Sequence, residues 1–286
     1  MNSEIINGIE DIVGEAIKRS SSVAGGSIAN IQIVETISGK RYFLKTGFNS
    51  SMFINEANGL KELQKANCIS MPNIIAADNK FLMLELIMPG RRVDDFWSFF
   101  GEQFAQLHRY TNESFGFYED NFIGATPQLN VAEGNEKTDW AEFYFNKRLL
   151  PQLKLAERNG YISDKFIHAF SVFEGKLEQI LRGSEELPAL LHGDLWSGNF
   201  MTGSQGEPVL IDPAVYYGNR EADLAMTYLF GGFNDEFYNS YMSTYPLKDG
   251  WEYRMNIYKL YHVLNHLNLF GAGYYNQAVS LMKYYE

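Results

Sequence analysis

With a single cysteine, Cys68, the chain cannot close a disulfide on itself. That fits a reducing compartment. Cys68 itself is expected to be a small, partly buried residue rather than a reactive thiol. Basic residues are also scarce, 24 Lys and Arg against 35 Asp and Glu for a net charge of −11. This argues against a nucleic-acid partner, whose phosphates need clustered cations. The most apolar run, Phe81 to Met88, is interrupted by Glu85 and is too short to span a bilayer. The first residues, Met1-Asn2-Ser3-Glu4, carry neither a basic segment nor a long apolar core. A cytoplasmic location without a leader or membrane partner is therefore expected. No internal repeat is visible, and the only compositionally biased stretch is the Ser- and Gly-rich Ser20 to Ser27. No His or Cys cluster has zinc spacing, so His108, His262 and His266, all in apolar helical segments, are expected to be satisfied packing histidines.

What is present points to a folded chain that could bury two cores. Of its 286 residues, 45% are hydrophobic and 15% aromatic, enough burial to offset chain entropy. Ile5, Ile6, Ile9, Ile12, Val13, Ala16 and Ile17 recur at helical spacing behind Ser3. From Ile28 to Thr46 the pattern becomes β-rich around Ser38-Gly39-Lys40, a hairpin whose second strand is Arg41 to Lys45. A helix bearing Phe53, Glu56, Leu60 and Leu63 follows, then strands over Asn73 to Ala77 and Phe81 to Ile87. Met88-Pro89-Gly90 is a turn signal and marks the boundary between lobes, residues 1–88 and 89–286.

Beyond it the pattern is helical, over Phe96 to Arg109, Thr138 to Arg158, Asp164 to Leu181, Glu221 to Phe230 and much of Lys248 to Tyr285. Only Asn199 to Thr202 and Pro208 to Ile211 look like strands there, joined by the turn Gly203-Ser204-Gln205-Gly206. The fold class read from this is α+β: a small β-rich lobe followed by a larger helical lobe, with a cleft between them.

Chemistry concentrates in Leu191-His192-Gly193-Asp194-Leu195-Trp196-Ser197-Gly198-Asn199 and, after the hairpin, Ile211-Asp212-Pro213. Moving a phosphoryl group requires a carboxylate at the acceptor hydroxyl, oxygen ligands for Mg²⁺ and a cation on the nucleotide phosphates. Asp194 suits the first post, Asn199 and Asp212 the second, and Lys45 the third, held by Glu56 from the next helix. Gly25-Gly26-Ser27 could bring backbone N–H groups to phosphate, and Glu85-Leu86-Ile87 could offer backbone groups to adenine. His192 is expected to buttress the loop through its ring. ATP and Mg²⁺ are the cofactors implied. A protein kinase fits less well, because Pro213-Ala214 follows Asp212 where Phe-Gly would be expected.

These residues resemble the fructosamine and ketosamine 3-kinases, relatives of aminoglycoside and choline kinases within the protein-kinase-like fold. The resemblance runs over nearly the whole chain and is strongest at Leu190 to Phe200, Ile211 to Phe233 and Leu260 to Tyr274. It implies ATP-dependent phosphorylation of the 3-hydroxyl of a ketoamine, on a free amine or on glycated lysine in a protein, with decomposition of the product freeing the amine. It further implies Asp194 as proton acceptor, Asn199 and Asp212 on Mg²⁺, Lys45 with Glu56 on ATP, Glu85 to Ile87 as the nucleotide hinge, and Asp223 as a buried brace for the loop. Trp196 is expected either to stack on the sugar or to prop the catalytic loop from the core, and Tyr216 either to wall the acceptor pocket or to belong to the core. Where many relatives carry Cys after the paired glycines, this chain has Ser27, which leaves no loop disulfide there. Phosphotransfer to an aminoglycoside or choline-type alcohol, and a pseudokinase scaffold, are the rival readings.

Overall fold

The computed structural model describes residues 3–23, 29–47 and 51–286. Helix α1 (Ser3–Val13) is followed by strands β1 (Ile17–Ser22), β2 (Asn30–Thr36) and β3 (Arg41–Thr46), helix α2 (Met52–Gln64), and strands β4 (Ile74–Ala77) and β5 (Phe81–Glu85). The five strands form one antiparallel sheet in the order β1-β2-β3-β5-β4. Strand periodicity sorts its side chains. Val34, Leu44 and Met83 pack with Ile9 of α1, whereas Leu82 and Leu84 pack with Phe53, Ala57 and Leu60 of α2, and Phe43 lies against that second cluster. Lys45, two residues after Phe43 and paired with Leu82, therefore falls on the face that α2 covers.

The first helix is shorter than its apolar spacing suggests. Gly14, at φ +72°, ends it by donating its N–H to Glu10 O, and Ile17 opens β1 instead of extending α1. The first three residues of the Ser- and Gly-rich stretch, Ser20 to Ser22, likewise end an edge strand, in which Arg19 pairs with Glu35 at 2.6 Å.

The second lobe holds α3 (Phe96–Leu107), α4 (Trp140–Tyr144), α5 (Leu150–Arg158), α6 (Asp164–Glu174), α7 (Leu177–Leu181), α8 (Glu221–Thr227), α9 (Asp235–Thr244), α10 (Trp251–Phe270) and α11 (Tyr275–Lys283). Four short strands, forming two antiparallel ladders, were not legible in the sequence. The hairpin β6 (Asn121–Ile123) with β7 (Thr126–Gln128), and the pair β8 (Ala189–Leu191) with β11 (Tyr216–Gly218), add to the expected pair β9 (Phe200–Thr202) and β10 (Pro208–Leu210). Three-residue strands carry too little alternation to be read from sequence.

The helix expected over Thr138 to Arg158 starts at Trp140, capped by Asp139 accepting from Glu142 N–H at 3.0 Å, and passes through a π turn at Phe145–Leu149. Pro151 has no N–H to donate, and the Lys147 carbonyl accepts Arg148 Nη1 at 3.0 Å. Arg148 is thereby fully buried, with its guanidinium 3.9 Å from the Tyr216 ring centroid. Much of the aromatic content sits in a cluster where Phe96, Phe100, Phe104, Phe200, Phe233 and Phe237 meet at centroid distances of 4.9–6.4 Å. Such pairs add about 0.5–1.5 kcal/mol each beyond area burial. Among the described residues, no helix is long and apolar enough to cross a membrane.

Candidate active site

Two ladders hold the two chemistry-bearing loops side by side. The loop 192–199 runs from β8 to β9, and the loop 211–215 from β10 to β11, while β8 pairs with β11 and β9 with β10. Residues far apart in sequence are thus clamped at both ends. Ala214 N–H donates to His192 O at 2.8 Å and Ile211 N–H to Asn199 O at 3.1 Å. The contact is so close that a Cβ on Gly193, at φ +83°, would stand 2.0 Å from Ala214 O, so only glycine fits there.

Asp194 and Asn199 meet as expected. Asn199 Nδ2 donates to Asp194 O at 2.7 Å and to Asp194 Oδ2 at 3.1 Å. Burial raises the Asp194 carboxyl well above its ordinary range; Asn199 opposes this, and the charges of Asp212 and Asp223 add to it. Across the cleft, Lys45 Nζ lies 2.7 Å from Glu56 Oε1 and 2.5 Å from Asp212 Oδ1. Burial alone would lower the Lys45 ammonium, but the two carboxylates outweigh it and raise it, so the residue stays a cation. Asp212 occupies the left-handed region at φ +54°, a conformation non-glycine residues adopt sparingly and one found at functional sites.

Asn199 uses its amide nitrogen on Asp194 and leaves Oδ1 as a hard oxygen, while Asp212 is 43% exposed and keeps Oδ2 beyond the Lys45 contact. Two oxygen donors of this kind suit a small cation that fills its remaining positions with water and phosphate. Magnesium therefore fits the residues present.

Beneath the loop, Asp223 is 1% exposed and accepts from His192 N–H at 2.6 Å, Gly193 N–H at 2.7 Å and His108 Nε2 at 3.2 Å. Burial alone would raise the Asp223 carboxyl, but His108, His192 and the Gly193 N–H outweigh it and hold it below its usual value. His108 Nδ1 in turn meets Tyr241 Oη at 2.7 Å, to which Arg220 Nη1 donates at 3.2 Å. The His192 ring donates from Nε2 to Ile211 O at 2.9 Å and accepts Asp194 N–H on Nδ1 at 3.3 Å, which ties both loops to one neutral ring.

A cavity of about 540 Å³ joins these groups between the lobes, with Lys45, Glu56, Asp194, Trp196, Asn199 and Asp212 in its wall. Trp196 meets Phe230 edge to face at 6.0 Å, and Phe230 lies 4.6 Å from His266. Of the two readings of Tyr216, the structure has the core one. It is 2% exposed, belongs to β11, lies under Arg148 and does not line the cavity. Glu85 donates its N–H to Asn73 O at 2.8 Å and accepts Asn73 Nδ2 on Oε2 at 2.7 Å; Leu86 and Ile87 follow it, half-buried. Gly25, Gly26 and Ser27 lie outside the described residues.

Sequence reasoning missed Asn55, Phe122, Asn265 and Phe270 in the wall. It also took His262 for a satisfied histidine, whereas its Nδ1 is buried without a hydrogen-bond partner among the described residues. Helical periodicity marks Asn55, His262, Asn265 and Phe270 only by face, and Phe122 lies in the three-residue strand β6.

A five-stranded antiparallel lobe, a helical lobe and this cleft define a small-molecule kinase of the protein-kinase-like fold. Solved aminoglycoside phosphotransferases share that fold alone, at 12–13% identity and TM-scores of 0.64–0.65. A profile of the fructosamine kinase family matches residues 1–285, and the chain belongs to that family. It is similar to a "probable ketoamine kinase" of Synechocystis sp., 42% identical over 93% of this chain and 90% of that one. It is also similar to the chloroplastic protein-ribulosamine 3-kinase of Oryza sativa subsp. indica, 39% identical over 93% and 78%. A crystal structure titled "putative fructosamine-3-kinase" from Thermobifida fusca superposes with a TM-score of 0.90 at 29% identity, over 100% of this chain and 99% of that one. The chain is an ATP-dependent phosphotransferase.

Proposed function

We propose that the cleft transfers the γ-phosphoryl group of ATP to the 3-hydroxyl of a ketosamine, with Asp194 as the proton acceptor. The observation that carries this is the convergence of Lys45, Glu56, Asp194, Asn199 and Asp212 on one cavity between the lobes. Asp194 takes the hydroxyl proton as that oxygen bonds to the γ-phosphorus and the bond to the ADP oxygen breaks. The raised Asp194 carboxyl is a stronger base than a free aspartate, which supports the role. Lys45 holds the α- and β-phosphates and is itself held by Glu56. Asn199 and Asp212 hold Mg²⁺, which when bound neutralises charge on the phosphates. Asp223 and His192 take no part in proton transfer and keep the two loops in register.

Trp196 supplies an apolar face for the sugar, with its indole N–H free to meet a hydroxyl. Tyr216 drops out of the acceptor wall. Glu85 to Ile87 stay the proposed adenine contact, through Leu86 and Ile87 since the Glu85 N–H is engaged. The division of the chain at residues 88 and 89 follows from the same reading. The proposed setting is the cytoplasm, where the half-buried Cys68, its thiol pushed up to about 11 by burial, stays reduced. Glycated lysine, free or in a protein, is the proposed acceptor, and removal of the sugar adduct the physiological result.

The test is ADP release over ribuloselysine, erythruloselysine, fructoselysine, kanamycin, choline and a peptide pool. The ketoamines should stimulate turnover. Stimulation by kanamycin or choline alone would overturn the assignment.

A further inference from the structure

We propose that His262 is a positioning residue for the catalytic carboxylate, its Nδ1–H donating to Asp194 Oδ1 when the acceptor is bound. The inference rests on the reading of Asp194 as the proton acceptor. His262 projects from α10, is 4% exposed, and has an Nδ1 with no hydrogen-bond partner among the described residues. A buried polar atom left so costs free energy comparable with a lost hydrogen bond. Asp194 Oδ1 stands 4.0 Å away. The other carboxylate oxygen, Oδ2, already accepts from Asn199. Closing the gap by roughly 1 Å brings the pair into hydrogen-bond range.

The side chains of Tyr261 and Asn265, which flank His262 on α10, are anchored, and rotation of the His262 side chain is the adjustment the proposal uses. Tyr261 Oη donates to Gln128 Oε1 at 2.8 Å, and Gln152 Nε2 donates to Asn265 Oδ1 at 3.2 Å. Gln128 also donates to Ala214 O at 3.0 Å, which joins this part of α10 to the Asp212 loop. Burial, and then the neighbouring His266, hold His262 down to about 3, so its ring is neutral and carries a single N–H. Placed on Nδ1, that proton has Asp194 as its acceptor. With Oδ2 held by Asn199 and Oδ1 by His262, the carboxylate plane is fixed, and the lone pairs left over face the incoming hydroxyl. Neither residue alone constrains both oxygens.

The test compares three substitutions, with kcat, KM for ketoamine and ATP, and thermal melts measured on each. His262→Asn carries a nitrogen close to the place of Nδ1, His262→Gln carries one farther out, and His262→Ala carries none. His262→Asn should keep kcat within about threefold of wild type. His262→Gln and His262→Ala should lose about 10- to 100-fold in kcat, the scale of an ångström-level misplacement at a reacting centre, with KM for ATP unchanged. Should His262→Ala not fold, the Asn and Gln pair decides. The proposal is overturned if His262→Asn is as slow as His262→Gln, or if His262→Gln matches wild type. Asp194→Ala, measured alongside, separates the two ideas: if it is active, the reading of Asp194 fails, whereas an inactive Asp194→Ala with a wild-type-like His262→Gln refutes only the role of His262.

Discussion

Replacing Asp223 by Asn probes how the loop carrying Asp194 is held. The carboxylate accepts two backbone N–H groups and one imidazole from wholly buried surroundings. An Asn at that place keeps one oxygen and turns an NH₂ group toward a backbone donor. One charge-assisted bond is weakened and one buried N–H is left unmet, together about 2–5 kcal/mol. For a chain of this size that lowers Tm by roughly 3–8 °C.

Function should fall as well, because the two N–H groups belong to His192 and Gly193, directly before Asp194. A shift of about 1 Å there costs about a hundredfold in kcat. The pH dependence has a definite sign. The folded Asp223 carboxyl titrates below its unfolded value, so its stabilisation is complete above the unfolded aspartate value of about 3.9 and is lost as pH falls through the lower folded value. The gap in Tm between wild type and Asp223→Asn should therefore be constant near neutrality and narrow only below about pH 4. Calorimetric melts across pH, with ADP release near neutrality, give both readouts. A variant that melts within about 1 °C of wild type at neutral pH and keeps its kcat would refute the bracing role.

Two further outcomes follow from the cleft. Lys45→Met leaves Glu56 without its buried cation, so it should lower stability by about 3–5 kcal/mol and weaken ATP binding, which titration calorimetry would read; unchanged ATP affinity in a folded variant would contradict the phosphate role. Trp196→Ala should raise KM for the ketoamine by about tenfold with ATP parameters unchanged, since a stacked ring contributes about 1 kcal/mol or more; an unchanged ketoamine KM with intact folding would remove the stacking role.

The residues of the cleft were legible to different degrees, for physical reasons. Asp194, Asn199 and Asp212 lie within 19 positions of one another, in loops whose spacing is dictated by the ligands they must present. Lys45 and Glu56 were readable because strand alternation and the next helix set their faces. Tyr216 looked equally plausible as a wall residue, but its face depends on the three-residue ladder of β11 with β8 and on Arg148, which a π turn carries inward. Ile17 continued a helical pattern that Gly14 interrupts, and α9 was not anticipated at all. For His262, burial was evident and the unmet Nδ1 was not, because satisfaction of a polar atom depends on contacts between α10 and a loop some 70 residues away.

The most direct test of the central claim is the initial rate of ADP release by Asp194→Ala with a ketoamine acceptor and saturating ATP. General base catalysis of this kind contributes about 10²- to 10⁴-fold, so kcat should fall by that factor while the melt and ATP affinity stay those of wild type. A folded Asp194→Ala enzyme that phosphorylates the ketoamine at close to the wild-type rate would contradict the account.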